Sequence, residues 1–570
     1  MEPQGMFYML WLIATELLIP SVLVAAGLVI ALQHGPGLPW GLLYGLGIAV
    51  AADFLWVPLF ALYRRRRGDA GPSALPPLAV LDADGAQDMH QELCALGETG
   101  AAIGAPEVMT QWFKNAGGMG PSPKYGDMVE LTVFGHYYRT VDELRAEPDG
   151  EQRLQHIHEE LAELQEQWGH QFPKGKTPGV SIKAYIHDPC WGTWLPLWLY
   201  VVSEVAQMWS CVVMLFLGYR RVAPWTWAVT GTPPGKTQHT PNPVCANQGP
   251  LGTQVTSSSH DERVPLANAS VGGSPAGSDT QPTLTMAGSG SHSPRNTPLK
   301  PPAIVFLHGI GIGLAQNMLV LRRLRARYPA SDIVVREMPH VSLRFPRWRD
   351  ASPPWAHDVA DDVVRDLRAL GHASAVFVAH SYGTFVAAAA RKQHPAAVAG
   401  MVLLDPVCCL LNLPRAVSGF LYEGPRWNMG MRAFVKDTVV TAFARDPIVR
   451  FSIQRRFMWH RCALWPNEVP PGSVMWVGAT DPLIPANHIA RHFRNARVLE
   501  QRCSHADVLS NPEFVDRILD AMGPLMAQAP EAAPRRGGSE RDAGESARGL
   551  GLRGNGRRRR AGNAVRRSVA

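Results

Sequence analysis

Cysteine is scarce in this chain, with eight in 570 residues. They fall in no short, regular spacing, which excludes both a disulfide framework and a metal-spaced Cys/His cluster. Cys408 and Cys409 therefore read as small buried apolar residues, and neither a metal nor an organic cofactor is expected. Basic residues are missing from the first 63 positions. The opening apolar run thus lacks the charged start of a cleaved signal peptide and the arginines of a transit peptide, and a retained anchor is the expectation. No aromatic-interleaved basic motif of the nucleic-acid-binding kind is recognised. The formal net charge of +7 comes largely from arginine runs, so nucleic acid is not an expected partner. Apolar periodicity is absent from about Ala223 to Lys300 and again after about Ala527. Both stretches are rich in small and polar residues and read as disordered, a linker over 222–300 and a basic tail over 527–570.

What the chain does have begins with membrane-length apolar runs. Met6 to Leu32 and Leu38 to Tyr63 are each long enough to cross a hydrocarbon core of about 30 Å. Gly35, Pro36, Gly37 and Pro39 form the turn between them. Arg64 to Arg67 follow directly, so residues 1–67 read as a transmembrane hairpin with both ends cytosolic. A polar helical region follows over 68–190, with a heptad-like stretch from Glu151 to Trp168 whose leucines would pack on the catalytic domain or on a partner. Trp191 to Tyr219 is a third apolar run, taken as a membrane helix over 191–221. Glu204 and Gln207 interrupt it and basic residues flank both ends, so spanning and interfacial placements both stay open. Glu16, Asp53 and Glu204 are carboxylates at membrane depth, which point to helix pairing or function. Asn268 heads a glycosylation acceptor sequence that matters only in a secretory lumen. The tail ends in Arg557 to Arg560, Arg566 and Arg567, a run suited to contact with anionic lipid.

Four segments in the second half carry the chemistry: LHGIG at Leu307 to Gly311, AHSYG at Ala379 to Gly383, GATDP at Gly478 to Pro482, and SHAD at Ser504 to Asp507. Ser374 to Ala379 has the pattern of a buried strand and Phe385 to Lys392 that of a helix, which puts Ser381 on a tight elbow. There a hydroxyl stands exposed above a sheet, and the Tyr382 N–H lies at a helix N-terminus, where unpaired donors favour a developing oxyanion. The strand Ala303 to Leu307 runs into His308, Gly309, Ile310 and Gly311. The Ile310 N–H, helped by Gly311, is the expected second oxyanion donor, with His308 a structural member of the loop. Asp481 follows the strand Ser473 to Val477, and His505 follows Arg497 to Cys503. His505 would take and return the serine proton while Asp481 fixes its tautomer. Asp405, which also ends a strand before a proline, is the alternative acid. His340 and His460 read as packing residues.

The order Ser, Asp, His, with alternating strands and helices from Pro301 to about Leu525, resembles the α/β-hydrolase superfamily. FLHGIGIG at Phe306 to Gly313, LLDPVCCLL at Leu403 to Leu411, FMWHRCALWP at Phe457 to Pro466 and, more faintly, MTQWF at Met109 to Phe113 resemble a little-characterised eukaryotic branch of membrane-attached members. Ala379 departs from the glycine usual there. The resemblance implies a mostly parallel sheet flanked by helices over 301–526, with a helical cap at about 407–472. That insertion is rich in rings, among them Phe420, Tyr422, Trp427, Phe434, Phe443, Phe451, Phe457, Trp459 and Trp465, and an apolar lid favours a lipophilic acyl substrate. The expected activity is a serine esterase or lipase acting on acylglycerol-like or lysophospholipid-like esters, with membrane lipids as surroundings. An acyltransferase using the same acyl-enzyme and an inactive membrane scaffold are the alternatives. An integral membrane protein of the endoplasmic reticulum or another endomembrane is expected, with a cytosolic catalytic side. The sequence assigns no oligomeric state.

Overall fold

The computed structural model describes residues 109–114, 122–188, 195, 197–231, 302–345, 353–424 and 430–527. The expected transmembrane hairpin, Asp53, Asn268, Trp427 and the arginine tail lie outside them.

β1 (Phe113–Lys114) and β2 (Ser181–Ile182) form a short antiparallel pair. Eight further strands, among them β3 (Arg220–Ala223), β4 (Thr226–Val229) and β10 (Arg497–Gln501), form one sheet in the order β10-β9-β8-β7-β5-β6-β4-β3. The central five are β5 (Ala303–Leu307), β6 (Ile333–Arg336), β7 (Ala375–His380), β8 (Val398–Leu404) and β9 (Val474–Gly478). All pair in parallel, as does β10 (Arg497–Gln501) with β9. Their near-continuous apolar sequences, such as AIVFL and VMWVG, are what a parallel strand covered on both faces requires. Each fully buried Val, Ile, Leu or Phe in them contributes about 1.5–3 kcal/mol. By contrast β10, RVLEQ, is half-exposed at the sheet edge.

Helices α5 (Met318–Arg327), α6 (Ala356–Ala369), α7 (Tyr382–Gln393) and α11 (Pro512–Ala527) cover the sheet. Ala387 to Ala390 are all buried without exposure, and these small side chains let α7 lie close to the sheet centre. Between β8 and β9 the insertion folds into α8 (Met431–Arg445), α9 (Pro447–Arg455) and shorter turns. A further helix, α10 (Ala486–His492), follows β9.

One sequence expectation, the linker, needs correction. β3 (Arg220–Ala223) and β4 (Thr226–Val229) form a hairpin whose second strand pairs antiparallel with β6, so residues 222–229 belong to the sheet and its hairpin. Composition hid this because Pro224 and Thr230 to Thr232 resemble linker, whereas β4 is a short strand, TWAV, mostly buried. In the polar region, helices α1 (Tyr125–Tyr137), α2 (Val141–Arg145) and α3 (Gly150–Gln167) pack on one another and share an apolar cluster with the cap insertion, which the Trp459 indole joins to α1 by donating to Gly135 O at 2.9 Å. The Trp112 indole donates to Asn412 O at 3.0 Å, the Tyr138 hydroxyl accepts from the Trp459 N–H at 2.8 Å, and Gln454 Nε2 donates to Tyr185 O at 2.9 Å.

Between these parts lies α4 (Leu197–Phe216), the apolar run taken as a membrane helix. Among the described residues it is the one helix long and apolar enough to cross a membrane. Its boundaries are tighter than 191–221, because Arg220 and Arg221 already belong to β3.

Candidate active site

Ser381 sits between β7 and α7 at φ 49° and ψ −121°, a conformation an L-residue adopts only when its surroundings enforce it. Two neighbours do so. The Ser381 N–H donates to Leu404 O at 3.0 Å, and Ser381 O accepts from the Thr384 N–H at 2.8 Å. The elbow also needs two glycines. A Cβ on Gly383 would stand 2.4 Å from Leu307 O, and one on Gly309 would stand 2.7 Å from both Ser381 Cβ and His380 Nδ1. Such contacts are impossible without moving the main chain.

The three residues expected to act together meet at the C-terminal ends of β7, β9 and β10. His505 Nε2 lies 2.9 Å from Ser381 Oγ, and His505 Nδ1 donates to Asp481 Oδ2 at 2.6 Å. The other Asp481 oxygen accepts from the Leu483 N–H at 2.7 Å, which fixes the carboxylate plane. Asp405 does not bond the imidazole. Its Oδ2 accepts from the Ala506 N–H at 2.7 Å, so it holds the main chain beside His505 in a left-handed turn, φ 62° at Ala506. Asp405, Asp481 and His505 bring ligand-type atoms within 4.8 Å of one another. Both Asp481 oxygens, both His505 nitrogens and Asp405 Oδ2 are taken up in the bonds just described, and Asp405 Oδ1 is buried without a hydrogen-bond partner among the described residues.

The electrostatics follow from this packing. Burial works to lower the His505 pKa, but the charge and hydrogen bond of Asp481, assisted by Asp405, raise it from 6.5 to about 9. The neighbouring histidines go the other way. His308 is fully buried, with Nδ1 donating to Gly309 O and Nε2 accepting from the Met338 N–H, each at 2.8 Å, and burial lowers its pKa to about 4. It is thus a fixed neutral strut of the loop. His340 lies 3.4 Å from the Tyr382 hydroxyl and is lowered to about 3 by burial. His380, which precedes the serine and which the motif reading passed over, is buried with its ring 5.7 Å from that of His505 and its Nε2 3.7 Å from Asp405 Oδ2. Burial lowers its pKa as well. Nothing in the sequence separates it from an ordinary strand-end residue.

Ile310 and Tyr382 both line the cavity that holds Ser381 and His505, and among the described residues no main-chain bond takes up either N–H. Gly311 does not share the expected donor role. Its N–H is spent on Val341 O at 3.1 Å. Gln316 ties the loop down, accepting from the Ile312 N–H and donating to Ile310 O.

The cavity is walled by the cap residues Phe420, Phe443 and Phe457. A second cavity lies between the cap and α1, walled on that side by Leu131 and Phe134. Tyr185, Leu411, Val417 and Phe457 line both. Of the other rings singled out in the insertion, Trp459 lines the second cavity, Trp465 meets Trp459 edge-on, and Tyr422 binds Asp188 through its hydroxyl at 2.5 Å.

Residues 304–518 match the alpha/beta hydrolase family. This part of the chain, from β5 into α11, is similar to that family. No curated protein matches the chain significantly. Similar solved structures include a bacterial membrane phospholipase A described as a virulence factor (16% identity, 40% of this chain and 81% of the other, TM-score 0.28). Others are a thermophilic esterase from Thermogutta terrifontis (15%, 40% and 90%, 0.28) and the enol-lactonase from Burkholderia xenovorans LB400 (18%, 39% and 91%, 0.29). In the hydrolase domain the elbow, the loop after β5 and the turns after β9 and β10 all leave the same end of the sheet, which is why residues over a hundred positions apart converge.

Proposed function

We propose that the chain is a membrane-associated serine hydrolase that cleaves lipophilic carboxylic esters of the acylglycerol or lysophospholipid type. The observation that carries this reading is the continuous contact Ser381 Oγ, His505, Asp481 opening on a cavity walled by aromatic and aliphatic side chains. In the first half-reaction Ser381 Oγ bonds to the ester carbonyl carbon as its proton passes to His505 Nε2. The carbonyl electrons move onto oxygen, facing the N–H groups of Ile310 and Tyr382. Collapse breaks the carbon–oxygen bond to the alcohol, which leaves with the proton from His505. Water then gives a proton to His505, attacks the acyl carbon and releases the carboxylic acid, and Ser381 recovers its proton. Asp481 holds the imidazole with Nε2 toward serine throughout.

The acyl chain would lie under Phe420, Phe443 and Phe457, and the second cavity behind Phe457 offers room for a long chain to continue. The apolar runs of the sequence and the exposed side chains of α4 support attachment to an endomembrane. A cytosolic catalytic side is part of the proposal, and a glycosidase-sensitive mass shift lost in Asn268→Gln would contradict it. The catalytic part is tested with a fluorophosphonate probe on the full chain in detergent. Labelling that is present in the wild type and absent in Ser381→Ala is the expected result. Equal labelling of both, or none in a wild type that unfolds cooperatively, would overturn it.

A further inference from the structure

We infer that α4 lies in the plane of one membrane leaflet, with its outward face in the acyl region and its inward face bonded to the hydrolase domain, and does not cross the bilayer. This refines the membrane attachment proposed above and does not depend on catalysis.

The polarity of α4 is inverted relative to a helix on a water-soluble protein. Facing the protein are Tyr200 at 0%, Ser203, Gln207 at 2% and Ser210, while Trp209 at 66% and Phe216 at 87% are among the side chains turned outward. A surface helix in water places its apolar stripe inward. Two of the inward polar groups bond the domain: the Tyr200 hydroxyl donates to Asp446 Oδ2 at 2.7 Å, and Gln207 Nε2 donates to Leu343 O at 3.4 Å, while Ser203 and Ser210 bond within the helix to Gln207. Glu204 accepts from the Phe345 N–H at 3.1 Å, which answers the question of why a carboxylate interrupts this apolar run. Apart from the indole N–H groups of Trp198 and Trp209, the exposed side chains of the outward face are apolar, and that surface fits hydrocarbon.

The same bonds decide the orientation. They begin at Tyr200, and Met214 is still part of the core beneath the sheet, so the helix lies lengthwise on the domain for about 21 Å at 1.5 Å per residue. β3 starts four residues after the helix ends, tying that end to the sheet too. A spanning α4 would carry Glu204, Arg344 and Asp446 to hydrocarbon depth with it, where ionisable groups are strongly disfavoured. An in-plane α4 leaves them on the aqueous side of the helix. Trp209 on the outward face suits the interface, where indole rings collect. The occupant must then be lipid: the preceding sequence holds two runs of membrane length, which bring this domain to a bilayer whatever α4 does. The helix also bears on the substrate, since Tyr200 bonds the Asp446 carboxylate that caps α9, immediately after the α8 residues Val440 and Phe443 that wall the cavity. Lipid contact thus acts on the roof of the site.

The test uses the full chain reconstituted in phosphatidylcholine/phosphatidylserine vesicles, with Cys211 and any other native thiol that labels replaced by Ala. A nitroxide is attached in turn at Val201→Cys, Val205→Cys, Met208→Cys, Val212→Cys and Leu215→Cys, and its depth is read by power saturation against oxygen and a nickel chelate. All five point outward, so the inward bonds stay intact. The expected result is one shared depth, about 5–10 Å below the phosphates, at all five sites. A depth that peaks near Met208 and falls toward both ends means a spanning helix and overturns the inference. Labels shielded from both reagents, or exposed to the nickel chelate alone, mean a protein cover or no cover, and overturn it equally. Fluorophosphonate labelling of the same samples reports separately on the hydrolase reading.

Discussion

At Ser381 the main chain is held at a strained angle by its neighbours, and positive φ recurs at Asp405, 48°, and at Ala506, 62°, the residue after the base whose N–H Asp405 accepts. Conformations of this kind cost on the order of 1–3 kcal/mol each and persist only where packing dictates them. The two buried carboxylates near His505 are separable on this basis. Asp481 bonds the imidazole, so Asp481→Asn should lower kcat by about 10⁴-fold by favouring the wrong tautomer. Asp405 bonds the main chain at Ala506, so Asp405→Asn should cost much less in kcat and show itself in a lower midpoint of thermal unfolding. Ester hydrolysis and calorimetry on the two variants check this, and the reverse ranking would mean that Asp405 is the acid. Histidine protonation gives a second prediction. Because Asp481 and Asp405 raise His505 to about 9, the free enzyme holds the proton at neutral pH, and kcat/KM should climb from pH 7 toward an alkaline midpoint near 9. The sign for stability is opposite. A raised folded pKa contributes stability that is complete below the ordinary histidine value of about 6.5 and is lost as pH rises through about 9. A pH–rate profile centred below 6.5 would show that the carboxylates do not act on this imidazole as described.

Among the elements, those with a strong sequence period or an uninterrupted apolar run were readable, and those shaped by contact with other parts of the chain were not. The strands β5, β7, β8 and β9 stand within two residues of the positions expected from AIVFL, SAVFVA, GMVLL and SVMWV. Likewise α3, with its regular leucines, lies at Gly150–Gln167 against an expected 151–168. α1 passed unnoticed because eight of its 13 residues are buried, including Asp127 and His136, which leaves no polar face and therefore no period. β4 went unseen because four residues are too few to show a pattern next to a proline. The motif residues were legible because their order along the chain is itself a signal, whereas the choice between Asp481 and Asp405 depended on which carboxylate reaches across the sheet. The cap was visible as a ring-rich insertion, but its second wall was not, since Leu131 and Phe134 come from α1. That wall leads to a prediction about chain length. Val417 lines both cavities, so Val417→Phe should place a ring at the boundary they share. Hydrolysis of p-nitrophenyl butyrate should be kept within a few-fold, while kcat/KM for the palmitate ester falls by about 10- to 100-fold, the scale of a steric mismatch in an apolar pocket. Equal losses on both esters would argue against a continuous acyl channel.

On the scale of the whole molecule, the match to the hydrolase family covers residues 304–518, yet the unit that can bury its surfaces is larger. β6 loses its antiparallel partner without Thr226–Val229, and Glu337, 2% exposed, loses its contacts with Arg221 and the Trp227 indole, keeping Arg344. The cap meanwhile rests on α1 and on the segment ending at Asp188, through Trp112, Tyr138 and the bond from Arg455 Nη2 to Asp188 O. Removing everything before residue 302 would open one sheet edge, strand a buried carboxylate among fewer partners and bare the outer wall of the cap. Each unpaired buried polar group alone costs about 1–3 kcal/mol, and a domain has only about 5–15 kcal/mol in total. The fragment 302–527 should therefore show no cooperative thermal transition and no Ser381-dependent fluorophosphonate labelling when expressed alone in detergent. Co-expression with residues 109–231 should restore both, because the long stretch that joins the two pieces contributes connection and the pieces contribute the surfaces. If 302–527 unfolds cooperatively by itself, at the temperature of the intact chain, the N-terminal helices and the hairpin are ornaments on a self-sufficient domain. The second cavity, which α1 helps to wall, would then have to be explained without it.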